Sequence, residues 1–406
     1  MPPDQDPSAA EPRPTLRLLP GRDRRVKAGH PWAFSNEIAM TPAAKALPPG
    51  GLVRLEGDDG VRHGTWQFNP HSLIAARRLS PDPAAPADSP AWLRERLAGA
   101  LALRDRLFPT PHYRLVHAEA DGLPGLVVDR YGDALALQAN TAGMERLTPA
   151  LVEALAGLLS PRLVVARNDA SVRRLEGLEE EVRPLLGEGG EARAEEGGLG
   201  FAVDLLGGQK TGWFFDQREN RDRLARLASG ATVLDAFCHT GGFGLRCAAA
   251  GAAHVTLLDR SAPALDLALR SAAENGLAAE RIEPRRAEAL EELERMATAG
   301  AARFDIVVAD PPAFAKSRKD HGAALRGYGK LARLAAALVA PGGFLFLASC
   351  SHHVAPGEFA DAVVWGLGRA RREGRILFQG GAGPDHPVHP LLPESAYLKA
   401  MLFQLA

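Results

Sequence analysis

Cysteine is scarce in this chain: Cys238, Cys247 and Cys350 are the only three among 406 residues. Three thiols form no disulfide framework, and no Cys-x-x-Cys pair or His/Cys cluster at zinc spacing occurs, which excludes a disulfide scaffold and a zinc module. A cysteine with a special role is therefore expected to be a reactive thiol, and no metal is expected. Long apolar runs are missing too. No window approaches the ~18 uncharged apolar residues of a membrane span, and residues 1–13 hold Pro, Asp and Glu where a secretion signal needs a basic start and an apolar run. The expectation is a soluble, cytoplasmic protein with no membrane partner. Net charge is nearly absent, at -1, and by sum alone that argues against a nucleic-acid partner.

The distribution of charge says more than its sum. Between Arg13 and Lys27 the cations Arg13, Arg17, Arg22, Arg24, Arg25 and Lys27 face one anion, Asp23, whereas Glu176 to Glu196 is acidic. Basic segments are thus available for a polyanion, with a solvated face as the plainer alternative. An apolar content of 46% with 24% charged residues is ordinary globular composition. At ~150 residues per domain the length implies two or three domains.

Residues 1–14, rich in Pro, Asp and Ala, are expected to be a disordered leader. Over 15–82 short β-like runs (Leu16 to Leu19, Leu52 to Glu56, Gly64 to Gln67, Leu73 to Arg77) are separated by Gly and Pro turns, which suits a small β domain. Pro81 to Pro90 reads as a linker. Residues 83–190 open with helical spacing over Ala91 to Leu107 and continue as strands around a helix, an α+β domain. The Gly- and Glu-dominated stretch Gly187 to Gly198 is expected not to pack and to mark a boundary. From 191 to 406 strands alternate with helices, implying a doubly wound α/β domain with ligands at the carboxyl ends of its strands.

Those strand ends hold the chemistry. Val233-Leu234-Asp235-Ala236-Phe237-Cys238-His239-Thr240-Gly241-Gly242 places a carboxylate at the end of a strand and a glycine pair at the turn before a helix. Glycine lets backbone approach a ligand closely, yet the Gly-x-Gly-x-x-Gly dinucleotide fingerprint is absent. Val255 to Leu258 end in Asp259, suited to ribose hydroxyls, so an adenosine ligand without a pyrophosphate fits best. Phe304 to Ala309 end in Asp310-Pro311-Pro312, and Phe344 to Ser349 end in Cys350. Taken alone, a cysteine closing an apolar strand is most often core; the odds reverse if the preceding strand ends point at a methyl donor and Asp310. Cys238 and Cys247 are read as packing residues, with a catalytic role the alternative for Cys238. His239, His352 and His353 are read as loop residues, with a direct role the alternative for His239 and proton removal or RNA contact the alternative for the last two. Trp32, Phe34, Trp66 and Phe68 either stack on bases or fill a small β core.

The chain resembles, nearly end to end, the S-adenosylmethionine-dependent large-subunit rRNA cytosine-5 methyltransferases that carry an N-terminal PUA domain. The resemblance lies at Gly29-His30-Pro31-Trp32-Ala33-Phe34-Ser35-Asn36-Glu37-Ile38, Ala118-Glu119-Ala120-Asp121-Gly122-Leu123-Pro124-Gly125-Leu126, Thr141 to Glu145 and Ser171 to Gly177. It continues at Gln209-Lys210-Thr211-Gly212-Trp213-Phe214-Phe215-Asp216-Gln217-Arg218, Arg326-Gly327-Tyr328 and Asp385-His386-Pro387. It implies a β-barrel PUA domain, a central α+β domain and a Rossmann-like catalytic domain acting on ribosomal RNA. S-adenosyl-L-methionine would be held by Gln217, Asp235, Phe237, Thr240, Gly241, Gly242, Asp259, Glu288 and Asp310. Cys350 would be the nucleophile, with Asp310 assisting, and Arg22, Arg24, Arg25 and Lys27 would contact RNA. Two departures stand out: Ala287-Glu288 replaces the usual Gly-Asp at the adenine contact, and Ala313-Phe314 replaces Lys-Phe after Asp-Pro-Pro, with Lys316, Arg318 and Lys319 following. Oligomeric state is left open, a homodimer among the options. The competing functions are methylation of another base atom and a non-catalytic RNA-binding assembly factor.

Overall fold

The computed structural model describes residues 13–209, 211–300, 303–315 and 317–406. Most of the expected leader lies outside this range, as do Lys210 and Lys316. Arg13 differs from the expectation: it donates to Thr65 Oγ1 at 3.2 Å and pairs with Asp88 at 3.1 Å. Its guanidinium ties the start of the N-terminal domain to the segment that leaves it.

In that domain the strands Thr15–Arg17, Gly51–Glu56, Arg62–Phe68, Ala76–Ser80 and Trp32–Ala33 lie in this spatial order. A bridge between Leu18 and Ile38 joins the two edges and closes the sheet into a barrel. Trp66 and Phe68 are fully buried in it and so serve as core. The linker expected over Pro81 to Pro90 is packed: Arg54 donates to the Pro83 carbonyl, and Ala85 and Ala87 are buried.

The central unit is a sheet of His112–His117, Leu126–Tyr131, Ala134–Ala139, Leu163–Asn168 and Glu181–Leu186, covered by the helices Pro90–Leu107 and Ala142–Leu159. Ser89 and Thr141 cap those helices, each side chain accepting from a backbone N–H three residues on. The stretch expected not to pack does pack. Glu191–Glu196 pairs antiparallel with Leu199–Asp204, burying Ala194 and Glu196. The buried carboxylate is compensated by Arg221, whose Nη1 donates to both Glu196 oxygens at 2.9 and 2.7 Å.

The C-terminal sheet has seven strands, named here β1 (Thr232–Ala236), β2 (His254–Asp259), β3 (Ile282–Arg286), β4 (Phe304–Ala309), β5 (Val339–Ser349), β6 (Gly374–Gly380) and β7 (Lys399–Leu405), in the order β3-β2-β1-β4-β5-β7-β6. The first five are parallel neighbours, and β7 runs antiparallel between β5 and β6. Beyond β1, five helices among the described residues alternate with the strands: α1 (Gly242–Ala249), α2 (Ala262–Glu274), α3 (Ala289–Thr298), α4 (His321–Ala337) and α5 (Pro356–Arg369). Period-2 alternation sorts the strands' side chains. Val233, Val255, Ile306 and Phe346 join the core with Leu245 of α1 and Leu265 of α2, whereas Leu234, Leu258, Val307 and Leu345 pack with α3, α4 and α5. Both faces are thereby covered, as parallel strands require. The order reverses at β1, so the carboxyl ends of β2, β1, β4 and β5 form one continuous rim.

Candidate active site

Asp235, Asp259, Asp310 and Cys350 stand at or just beyond four adjacent strand ends on that rim. Asp235, in β1, is buried, and its Oδ2 accepts the Gly244 N–H of α1 at 2.7 Å. Burial, with Asp310 and Asp259 adding like charge, pushes its carboxyl up to about 7. At the end of β2, Asp259 accepts the His239 N–H and the Ser261 N–H, each at 2.9 Å. Asp310 accepts the Gln217 side-chain amide at 2.9 Å, and Gln217 in turn accepts from Asn220 at 2.6 Å. Gln217 is buried in the short turn Phe215–Gln217 ahead of the helix Arg218–Ala225.

The turn from β1 to α1 is sharply folded. Phe237 and His239 adopt left-handed φ of 62° and 51°, and Gly241 follows at 78°. Left-handed backbone at a non-glycine residue costs roughly 1–3 kcal/mol. Here it is held by Cys238 N–H to Leu258 O, by Gly241 N–H to Cys238 O and by the Asp259 carboxylate. The turn also lies close against its surroundings: a Cβ at Gly242 would stand 2.7 Å from Arg221 Nε. That guanidinium, paired with Glu196, stacks 4.3 Å from the Trp213 ring centroid. Thr240 is buried in the turn, Phe237 half-buried, and Glu288 exposed beyond β3, where it pairs loosely with Arg260 at 3.7 Å.

The Ser349-Cys350-Ser351 segment is fixed by Tyr328 of α4. Ser349 donates to the Tyr328 hydroxyl at 2.8 Å, that hydroxyl and Ser351 share a second bond of 2.8 Å, and the Ala315 N–H donates to Ser351 Oγ at 3.2 Å. Two fully buried serines thus brace a half-buried thiol between them, and that thiol belongs to no disulfide. Phe314, after Asp310-Pro311-Pro312, packs on Tyr328 with centroids 4.7 Å apart. Cys350 packs, together with Tyr397, against the core that α1 and α2 share with the sheet. The other two thiols are different. Burial pushes Cys238 well above the usual thiol range and Cys247 up to about 12, so both stay protonated and pack.

The resemblance includes Tyr328 and Asp385-His386 only as parts of motifs, and sequence reasoning does not reach Tyr397 or Lys399. Tyr397 donates to Asp216 Oδ2 at 2.6 Å and stacks on His352 at 5.2 Å. Asp385 is buried and accepts the Arg114 N–H at 3.1 Å, while Arg104 donates to its carbonyl at 3.0 Å. These bonds fasten the central unit to the C-terminal one, with the His117 and His386 rings 5.0 Å apart.

Within the basic run, Arg22 and Arg24 are exposed and pair with no carboxylate among the described residues. Arg25 is engaged by Glu37 at 3.3 Å and by the Phe34 ring, and Lys27 by Asp23 and Asp59 at 2.5 and 2.8 Å. Asp23, Asp59 and His63 also converge, yet Lys27 already supplies their positive charge. Trp32 donates to Glu119 Oε1 of the central unit at 2.7 Å and so bridges two domains. A further groove of about 590 Å³ on the outer face of α4 and α5 is lined by Arg326, Lys330, Arg333, Trp365, Arg369 and Arg371.

The residues present fit a cationic adenosine ligand. Asp235, Asp259 and Asp310 at neighbouring strand ends complement positive charge, and the glycine turn before α1 lies among them. No helix among the described residues is long and apolar enough to cross a membrane.

Residues 16–81 match the PUA-like domain family, and residues 136–404 match the S-adenosylmethionine-dependent methyltransferase family. The chain is 36% identical over 390 residues to a ribosomal RNA large subunit methyltransferase I from Photobacterium profundum, covering 95% of this chain and 98% of that one. A protein of the same name from Shewanella denitrificans is 36% identical over 395 residues, with 95% and 98% covered. Among solved structures, a methyltransferase complexed with SAH superposes with a TM-score of 0.81 at 20% identity, covering 96% of this chain and all (100%) of that one. A methyltransferase from Streptococcus mutans superposes at 0.79, also with 20% identity and 96% and 100% covered.

Proposed function

The chain belongs to the S-adenosylmethionine-dependent methyltransferases that carry a PUA-like domain, and on that premise we propose that it methylates carbon 5 of a cytosine in large-subunit ribosomal RNA through a covalent adduct with Cys350. The observation that carries this reading is the half-buried thiol braced by Ser349 and Ser351 one strand along from Asp310. S-adenosylmethionine supplies an electrophilic methyl group. Asp235, Gln217, Asp310 and the Gly241 turn would hold its methionine end and Asp259 its ribose, with Phe237, Thr240, Gly242 and Glu288 around it. The buried carboxylate of Asp235 would face the donor's positive charge.

Carbon 5 of cytosine is a poor nucleophile until a thiolate adds to carbon 6. The Cys350 sulfur would form the S–C6 bond, and the displaced π electrons would pass toward ring nitrogen 3, where Asp310 in its protonated form would donate a proton and take it back when the thiolate leaves. Carbon 5 then takes the methyl group as its bond to the sulfonium breaks. A base, for which solvent water suffices, then takes the carbon 5 proton, and the electrons of that C–H bond restore the C5–C6 double bond as the C6–S bond breaks and the thiolate leaves. Carbon 6 is unreachable in a stacked duplex, so the cytosine must be flipped or unpaired. The relatives named as large-subunit rRNA methyltransferases support the substrate class. Arg22, Arg24 and the cationic groove on α4 and α5 offer phosphate contacts, with Arg25 and Lys27 alongside.

The test is methyl transfer from labelled S-adenosylmethionine to RNA from cells lacking the gene, followed by nucleoside analysis, with Cys350→Ala in parallel. Labelled 5-methylcytidine that disappears in the variant supports the adduct. An active variant points to methylation of a base amine, and failure to bind the donor points to an assembly factor.

A further inference from the structure

Lys399 opens β7 opposite Ser349 of β5, and its side chain is almost completely buried, with 5% of the residue exposed. A buried ammonium is costly unless compensated by an anion. Among the described residues no carboxylate lies within ion-pair reach of it. Its hydrogen bonds go to two carbonyls, Ser351 O at 2.5 Å and Tyr397 O at 2.8 Å. The group that acts electrostatically in its favour is Cys350. Cys350 lies between the residue Lys399 faces across the strand pair and the residue whose carbonyl it holds. The lysine is thus fixed by the backbone on either side of a thiol whose anion would compensate it.

We propose that Lys399 is the positioning residue that charges the nucleophile: its neutral amine takes the proton from the Cys350 thiol, and the resulting ammonium holds the thiolate ready for carbon 6. The step balances, since the S–H bond breaks, an N–H bond forms, and one neutral pair becomes one ion pair. Burial lowers the Lys399 ammonium to about 8, close to the ordinary thiol range, so the proton passes between the two with little driving force either way. The expelled thiolate at the end of the cycle finds the same ammonium. Other titratable groups beside the pair are Tyr328 from α4, Tyr397 before β7, His352 on the loop and Asp216. Burial keeps both tyrosines protonated, and Asp216 accepts the Tyr397 hydroxyl at 2.6 Å, which leaves His352 to be controlled for. This inference rests on Cys350 being the nucleophile, and the test separates the two.

The experiment is the pH profile of Cys350 alkylation by iodoacetamide, read by peptide mass in the full-length chain without RNA. Wild type, Lys399→Met, Lys399→Arg and His352→Gln are compared, with thermal unfolding of each. Cys238 and Cys247, buried and protonated, serve as unreactive references. Wild type should titrate below a free thiol. Lys399→Met should move the midpoint up by about one unit or more and slow labelling at neutral pH about tenfold. Lys399→Arg, a permanent cation, should restore the low midpoint, and His352→Gln should leave it in place. Superimposable profiles for wild type and a folded Lys399→Met, or for wild type and Lys399→Arg at a free-thiol midpoint, overturn the pairing. If the profile shifts as expected but Cys350→Ala still methylates RNA, the pairing stands and the adduct mechanism falls.

Discussion

Donor binding should depend steeply on pH near neutrality, because Asp235 titrates at about 7 in the folded chain. A carboxylate with that midpoint is ionised in about a tenth of molecules at pH 6 and about nine tenths at pH 8. If its anion faces the donor's positive charge, affinity for S-adenosylmethionine should fall about tenfold between pH 8 and pH 6. At pH 6.5 binding should release most of one proton. Titration calorimetry without RNA, run in two buffers of different ionisation enthalpy, measures both quantities. Asp235→Asn removes the titration and should flatten the profile at an affinity below that of wild type at pH 8. A pH-independent wild-type affinity, or the same slope in Asp235→Asn, would refute the reasoning. The sign for stability is opposite to that of a salt-bridged acid. Because the folded chain holds the proton more tightly than the unfolded chain, Asp235's contribution without ligand is fully present below the ordinary carboxylate range and is lost as pH rises through about 7.

Gly244→Ala should destabilise the fold by about 1–3 kcal/mol, because a Cβ there stands 2.3 Å from Leu257 Cδ2 and 2.9 Å from Val255 Cγ1; thermal unfolding reads the cost, and an unchanged midpoint contradicts it. Tyr328→Phe deprives the buried Ser349 and Ser351 hydroxyls of a shared partner, a destabilisation of about 1–3 kcal/mol, and should reduce methyl transfer more than donor affinity. Charge reversal at Arg326 and Arg333 should lower RNA affinity and reduce the slope of log affinity against log salt by about one for each phosphate no longer neutralised. An unaltered slope would remove the α4–α5 groove from the RNA-binding surface.

Much of the C-terminal sheet is legible because its strands are apolar runs that stop at an acid or a thiol. Asp235, Asp259, Asp310 and Cys350 each interrupt or end such a run, so spacing alone assigns them to the carboxyl rim. Polar strands escape that reading. β3, with Ile282 as its one buried residue, is an edge strand held by backbone pairing to β2. Glu191–Glu196 has the composition of a loop, and what lets it pack as a strand is Arg221 compensating Glu196 from 25 residues along the chain, which no local pattern reveals. The roles that no local pattern assigns share this origin. Tyr328 and Lys399 act on Ser349 and Ser351 across long separations. Lys399 does carry one local signal: a lysine heading the apolar run Ala400–Leu405 has nowhere polar to point unless a partner awaits it.

The bonds from Arg104 and Arg114 to Asp385 make the central unit something other than an accessory. Cut away, it would leave a carboxylate and its neighbouring histidine at a raw surface close to the nucleophile's surroundings. Trimming either half alone would therefore leave the other's buried polar groups without these partners. Removing the barrel would likewise strip Asn69 and Ser72 from Glu176, a buried carboxylate of the central unit.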